Sequence, residues 1–150
     1  MTIAAEAQER RRAMLRTAFG PVIGSALNDP LVTEIMVNPD GALRLDKLGL
    51  GRVDTGSRLD AGEVERIIRL VASHIRVEAH MANPIISAEL PAREDGKAGE
   101  RFEGILPPVS IAPCFSIRKP AVKIYSLADY VSDGVVSPFQ AEFLRRIILE

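Results

Sequence analysis

Two tight turns flanking a short alternating segment constrain the fold of this chain more than any other feature. The first turn is Asn38-Pro39-Asp40-Gly41, in which proline fixes φ and glycine can take a positive φ. The second is Gly49-Leu50-Gly51, and apolar and polar residues alternate between the turns from Ala42 to Leu48. With Thr33 to Val37 before them and Arg52 to Thr55 after them, these turns predict an antiparallel meander.

Three more segments predict strands in the second half of the chain. Ile85 to Leu90 and Arg101 to Leu106 are joined by a polar, charged loop from Pro91 to Gly99, which predicts a hairpin. Cys114 to Arg118 is a further strand, in which apolar and polar residues alternate. The fold class expected is therefore α+β, with a mostly antiparallel sheet of about five to six strands flanked by helices.

A helix is predicted on each side of the meander. Ala4 to Phe19 carries an apolar stripe that ends at Gly20-Pro21, and a short helical turn is expected to follow through Leu27. After the meander, Asp60 and Glu63 have capping-box spacing, with Ser57 as an alternative cap. The residues that follow place apolar side chains at helical spacing, namely Val64, Ile67, Ile68, Val71 and Ile75.

Two short helices are predicted near the end of the chain, opened by Ser126 and by Ser137-Pro138. The second helix runs to Leu149-Glu150, a dipeptide that also precedes purification tags in many vectors. We therefore expect a helical region at 1–27, an α+β domain at 28–136, and a helix at 137–150 that leads towards a further domain.

Charge and composition exclude several classes of protein. The 19 basic and 20 acidic residues give a net charge of −1, which argues against a general nucleic-acid binder and leaves direct DNA binding open. No apolar run reaches the ~20 residues needed to span a bilayer, and Met1 to Arg12 does not resemble a secretory signal. A single cysteine, Cys114, favours a reducing, cytoplasmic location and is expected to be a small core residue.

The sequence lacks the residues that a nucleotide hydrolase needs. The Walker A pattern GxxxxGK(S/T) is absent, since Gly96-Lys97 is followed by Ala98, which has no hydroxyl for Mg²⁺. Neither His74 nor His80 is assigned as a metal ligand, and His74 lies near a predicted helix C-terminus, where a cation is favourable. We assign no catalytic residue and no metal site to this chain.

Two segments each place an arginine beside apolar strand residues: Gly99 to Gly104 contains Arg101, and Phe115 to Pro120 contains Arg118. A guanidinium group matches phosphate oxygens bidentately, and arginines supplied by one domain to a phosphate on another recur in nucleotide hydrolases. The alternative is that both arginines lie on a solvated sheet face or in ion pairs. The pattern alone leaves both interpretations open.

The run from Val32 to Gly41 resembles the opening strand and turn of the TrbB-type conjugal-transfer ATPases, a VirB-type branch of the type II/IV secretion ATPases. The resemblance covers nearly all of the chain from about Asn28 onward. Further matches follow in the same order, at Asp46–Gly49, Gly51–Gly56, Ile85–Pro91, Gly99–Val109, Phe115–Ala121 and Asp129–Val131.

This resemblance implies the N-terminal domain of a hexameric ATPase, without the RecA-like domain that would hold ATP and Mg²⁺. It implies that Arg101 and Arg118 contact the phosphates, with Lys119 as a third candidate. The implied partners are further copies of the protein and the conjugal-transfer machinery at the inner membrane, reached from a cytoplasmic or peripheral position. Two alternatives stay open: a non-catalytic module that docks subunits, membrane or partners, and a stand-alone sensor with a small-ligand pocket.

Overall fold

Six antiparallel strands form one sheet in the first part of the chain. The computed structural model describes residues 3–91, 99–121 and 124–149, except for the side chains of residues 3–5, 8 and 149. The strands run in the spatial order β3-β2-β1-β6-β5-β4. Their bounds are β1 Val32–Val37, β2 Ala42–Lys47, β3 Gly51–Arg58, β4 Ile85–Glu89, β5 Arg101–Ile105 and β6 Cys114–Arg118. The predicted α+β class with an antiparallel sheet is confirmed, whereas most of the predicted loop, Ala92 to Ala98, lies outside the described residues.

The turn between β1 and β2 forms as its sequence predicts. Gly41 has a φ of 73°, and a Cβ there would overlap the carbonyl oxygen of Leu59. The Asp40 carboxylate accepts hydrogen bonds from Arg44, at 2.7 Å for the shorter of two, and from the backbone N–H of Ala42. These bonds, that from Arg44 foremost, lower the pKa of Asp40 to about 2. The register of the first hairpin is thus fixed by local contacts.

Two helices pack against the sheet, α1 (Ile3–Asn28) and α2 (Ala61–His74). Helix α1 consists of two helical segments that meet at the predicted break, where Gly20 takes a non-helical φ of 70°. Pro21 starts the second segment, which runs to Asn28. Helix α2 begins with the predicted capping box between Asp60 and Glu63. Ser57, the alternative cap, lies within β3.

The core lies between these helices and one face of the sheet. Alternate strand residues such as Ile35, Leu43, Phe102 and Ile117 are fully buried there with α1 and α2 side chains. We call the opposite side of the sheet the outer face. Cys114 is half-buried and alternates with the core-facing Phe115, so the expectation that it is a core residue is corrected: it lies on the outer face, beside Ile105.

The chain divides into two compact units, residues 1–120 and 121–150. The second contains α3 (Leu127–Ser132), which opens with a capping box between Ser126 and Asp129, and α4 (Pro138–Leu149). The predicted domain limits at 27/28 and 136/137 stay predictions about the whole protein. Within the described ranges, no helix combines the length and apolarity needed to cross a membrane.

Candidate functional site

Arg101 and Arg118 are brought directly opposite one another on neighbouring strands. Arg101 is the first residue of β5 and Arg118 the last of β6, and their Cα atoms are cross-strand partners in the ladder. Both are exposed, and both alternate with buried neighbours, Phe102 and Ile117. The two guanidinium groups therefore project from the outer face. Directly opposed like charges destabilise a sheet unless an anion lies near them.

Glu34 of β1 is the cross-strand neighbour of Arg118 on its other side. The distance from Arg118 Nη2 to Glu34 Oε2 is 3.6 Å, and the side chains are 68% and 21% exposed. At this distance the two groups form an ion pair but not a hydrogen bond. Because the Arg118 side chain is largely exposed and the contact is long, the pair contributes little to stability and Arg118 is held loosely.

Arg101 has Glu89 of β4 as its other cross-strand neighbour. The Glu89 carboxylate accepts a hydrogen bond from the backbone N–H of Gly99, with a Gly99 N to Glu89 Oε1 distance of 3.2 Å. Among the residues that the structure describes, no carboxylate lies within ion-pairing distance of Arg101. Arg101 is thus available to an external anion on the described surface.

The two arginines are the centre of a charged row that crosses all six strands. Successive cross-strand neighbours from β4 to β3 are Glu89, Arg101, Arg118, Glu34, Asp46 and Arg52. The far end is internally neutralised, because Arg52 Nε lies 3.2 Å from Asp46 Oδ1. The row therefore leaves one concentration of positive charge, at Arg101 and Arg118, with a carboxylate on each side.

Packing on the core face holds β5 and β6 in this register. The rings of Phe102 and Phe115 stack with centroids 5.3 Å apart. Gly104 fits against them, since a Cβ there would lie 2.8 Å from the Phe102 ring and 2.9 Å from Ile68. Gly99 lies so close to the carbonyl of Leu90 that a Cβ would overlap it. The glycines of the first arginine segment are thus required by close packing.

Lys119 follows Arg118 but is directed elsewhere. Its ammonium group donates to the carbonyl oxygen of Asp29 at 2.6 Å and contacts that of Ala26 at 3.5 Å. These carbonyls lie at the end of α1, where backbone acceptors have no partner within the helix. The observed contacts make Lys119 a cap of α1, and its contact with phosphate stays a prediction.

His74 does not behave as the favourable cation that its helix position predicted. Burial, followed by the charges of Arg11 and Arg12, lowers the pKa of His74 below its ordinary value of 6.5. Sequence reasoning missed this because the two arginines come from α1, far away in the sequence. In the described part of the chain, no group of three or more His, Cys, Asp or Glu side chains could hold a metal ion.

A shallow depression of about 420 Å³ lies between α1 and β2 and includes Asp29 and Lys47. Its two charges satisfy each other, with Lys47 Nζ 2.9 Å from Asp29 Oδ2. The hydrogen bonds from Lys47 and from the backbone of Leu31 lower the pKa of Asp29. Because its charges are already paired and neither Arg101 nor Arg118 lines it, this depression does not support a sensor pocket.

Sequence reasoning found both arginines but missed Glu34, Glu89 and the rest of the row. The signal for Glu34 was present, since it is the one charged residue in the apolar strand Val32–Val37. Its pairing with Arg118 could not be foreseen, because the two residues lie far apart in the sequence. Only the placement of β6 beside β1 brings them together.

Known proteins resemble the chain in both sequence and structure, although no family model matches it. It is 41% identical over 134 residues to a probable conjugal transfer protein TrbB of Sinorhizobium fredii, and equally so to a conjugal transfer protein TrbB of Rhizobium radiobacter. These alignments cover 89% of the chain and 39% or 40% of the relatives. A type IV secretion system protein VirB11 of Bartonella henselae is 30% identical over 128 residues, covering 83% of the chain and 34% of that protein.

The crystal structure of the VirB11 ATPase from the Brucella suis type IV secretion system, in complex with sulphate, superposes with a TM-score of 0.67. It is 25% identical, and the match covers 93% of the chain and 43% of that protein. The chain is a TrbB-like domain. The family resemblance predicted from the sequence, to the N-terminal domain of these proteins, is confirmed. The TrbB-like domain spans about two fifths of the length of the TrbB relatives.

Proposed function

We propose that this TrbB-like domain is the part of a conjugal-transfer ATPase that offers Arg101 and Arg118 to a nucleotide held by another domain. The observation that carries the proposal is the direct opposition of two exposed arginines on the outer face. A pair of guanidinium groups is suited to the oxygens of one phosphate, because each can bind bidentately. The solved VirB11 relative is in complex with sulphate, a tetrahedral anion, which supports the proposal of an anion contact.

The residues present fit phosphate oxygens rather than a metal. The described part of the chain holds no cluster of metal-ligating side chains, and the sequence holds no Walker A motif. ATP and Mg²⁺ would therefore be bound mainly by a RecA-like domain outside this chain. When bound, ATP would supply the negative charge that the arginines neutralise.

The contribution of the domain would be orientation and charge neutralisation. Arg101 and Arg118 would fix the phosphate end of the nucleotide between two domains and close the site against water. Loss of the terminal phosphate would release the arginines, so that closure and opening follow the nucleotide state. In a homohexamer, such motions would drive the transfer machinery at the inner membrane.

Turnover in the full-length protein tests this proposal. We expect Arg101→Ala and Arg118→Ala each to lower kcat/KM for ATP about tenfold or more, because arginines at transferring phosphates contribute strongly to the rate. Arg52→Ala is the matched control, since Arg52 lies in the same row but is paired with Asp46. Single and double arginine variants that all retain the wild-type rate, as Arg52→Ala should, would contradict the proposal.

A second function, as an interaction module, is favoured by the apolar side chains of α4. Phe139 is 81% exposed, and Phe143, Ile147 and Ile148 are also exposed. Exposed apolar rows of this kind mark surfaces that another protein covers. Replacement of Phe139 and Phe143 by serine should reduce self-association of the full-length protein in analytical ultracentrifugation. An unchanged distribution would exclude these residues from subunit contacts.

Membrane docking through α1 is the weaker form of this alternative. Arg10, Arg11 and Arg12 form a basic cluster, yet Glu9 pairs with Arg12 at 3.7 Å and with Arg16 at 2.8 Å. These pairs reduce the net positive charge available to anionic lipid. Co-sedimentation with anionic liposomes, with and without residues 1–19, distinguishes a membrane contact from a solvated helix face.

A further inference from the structure

Among the described residues, Glu34 is the acidic residue within ion-pairing distance of the proposed phosphate contacts, and it belongs to a strand that the sequence did not connect with them. The Glu34 side chain is mostly buried, with 21% of its surface exposed, and it forms an ion pair with Arg118. The neighbour of Glu34 on the other side, Asp46, is also acidic and is engaged by Arg52. Because Arg52 is engaged by Asp46, Arg118 is the neighbouring cation that the Glu34 carboxylate contacts.

We propose that Glu34 is a resident counter-ion of the arginine pair, which an incoming phosphate must displace from Arg118. This inference rests on the proposed function, since it concerns what the same two arginines bind. In the absence of phosphate, Glu34 offsets the repulsion between Arg101 and Arg118. Its loose contact, 3.6 Å without a hydrogen bond, is exchangeable for a charge-assisted, bidentate contact with phosphate.

The consequence for specificity follows from this competition. A singly charged anion, such as chloride or a carboxylate, offers Arg118 no more charge than Glu34 already does. A phosphate or sulfate dianion offers two charges and can contact both guanidinium groups at once. Glu34 thus sets a threshold for binding: it lowers the affinity for all anions, so that only an anion able to contact both guanidinium groups binds well.

The arginine side-chain Nε–Hε signals of the 150-residue chain provide the test, with sulfate as the probe at constant ionic strength. In wild type, sulfate should shift the signals of both Arg101 and Arg118. We expect Glu34→Gln to tighten sulfate binding by about tenfold or more, the effect on a dianion of removing one charge about 4 Å away in a watery, salt-screened environment. Asp46→Asn removes the same charge one strand further away and should change the affinity less than twofold.

The spectra of wild type and Glu34→Gln without sulfate test the ion pair between Glu34 and Arg118 independently of sulfate binding. Glu34→Gln should shift the Arg118 signal and leave that of Arg101 nearly unchanged, while the backbone amide spectrum shows that the variant is folded. An unchanged Arg118 signal, or sulfate affinity that stays equal or weakens in Glu34→Gln, would overturn the role of Glu34 alone. Arginine signals that do not respond to sulfate in any variant would overturn the displacement. The proposed function is overturned separately, by wild-type turnover in the full-length Arg101→Ala and Arg118→Ala variants.

Discussion

Arg101 and Arg118 are directly opposed residues on adjacent strands, and the carboxylate recorded beside this pair, Glu34, lies 3.6 Å from Arg118. The arrangement places like charges where a sheet tolerates them poorly. Functional sites commonly carry such a cost, because the arrangement that binds a ligand is not the one that stabilises the free protein.

Relief of this repulsion should stabilise the ligand-free domain. Arg101→Gln should raise the free energy of unfolding by about 0.2–1 kcal/mol, since the opposed like charges are removed. Urea denaturation at low ionic strength measures the change, which should shrink in high salt because the charges are screened. The control Arg52→Gln, which breaks the pair with Asp46, should bring no gain. An Arg101→Gln variant less stable than wild type would show that the arginine is held by favourable contacts.

Gly104→Ala should destabilise the domain by about 1–3 kcal/mol, because the added methyl group overpacks the core against Phe102 and Ile68. The matched control is Gly24→Ala in α1, where a Cβ meets nothing within 4 Å and the helix gains up to about 1 kcal/mol. Thermal or urea unfolding of the two variants should move in opposite directions. Equal stabilities would mean that β5 and α2 are not packed closely at Gly104.

Lys119→Met should lower the free energy of unfolding by about 1–3 kcal/mol, because the carbonyls of Asp29 and Ala26 lose a charged donor. Turnover of the full-length protein should stay near wild type, since Lys119 is held by α1. A variant that keeps its stability and loses turnover would instead support the sequence-based assignment of Lys119 to phosphate.

Stability should fall as the pH falls below the ordinary His74 pKa of 6.5. The folded state resists protonation of His74, whose pKa is lowered by burial and by Arg11 and Arg12, whereas the unfolded chain takes up the proton freely. As the pH is lowered from about 7.5 to about 5, the urea midpoint should decrease in wild type and change less in His74→Gln. The pKa values of Asp29, Asp40 and Asp54 are also lowered, but they change the stability only below the ordinary aspartate pKa of 3.8, which lies outside this pH range. Parallel pH profiles for the two proteins would rule out His74 as the cause.

Local signals predicted most of the fold. The turn at Gly41 and the capping boxes at Asp60 and Ser126 involve neighbours in sequence, and each forms as expected. The break predicted at Gly20-Pro21 is a further local signal, and the first helix is interrupted there by the non-helical Gly20.

The site was predictable only in part. Alternation along β5 and β6 identifies which face each arginine occupies, since it depends on the strand alone. The opposition of Arg101 to Arg118 and the ion pair with Glu34 depend on strand order and register. Strand order and register are set by tertiary packing, and Glu34 and Arg118 lie more than 80 positions apart in the sequence.

The affinity of the full-length protein for a non-hydrolysable ATP analogue relative to ADP tests the central claim most directly. If Arg101 and Arg118 contact the terminal phosphate, wild type should prefer the triphosphate, and the Arg101→Ala/Arg118→Ala double variant should lose that preference while retaining its affinity for ADP. Arg52→Ala should keep the wild-type ratio. A double variant with an unchanged triphosphate preference would contradict the account.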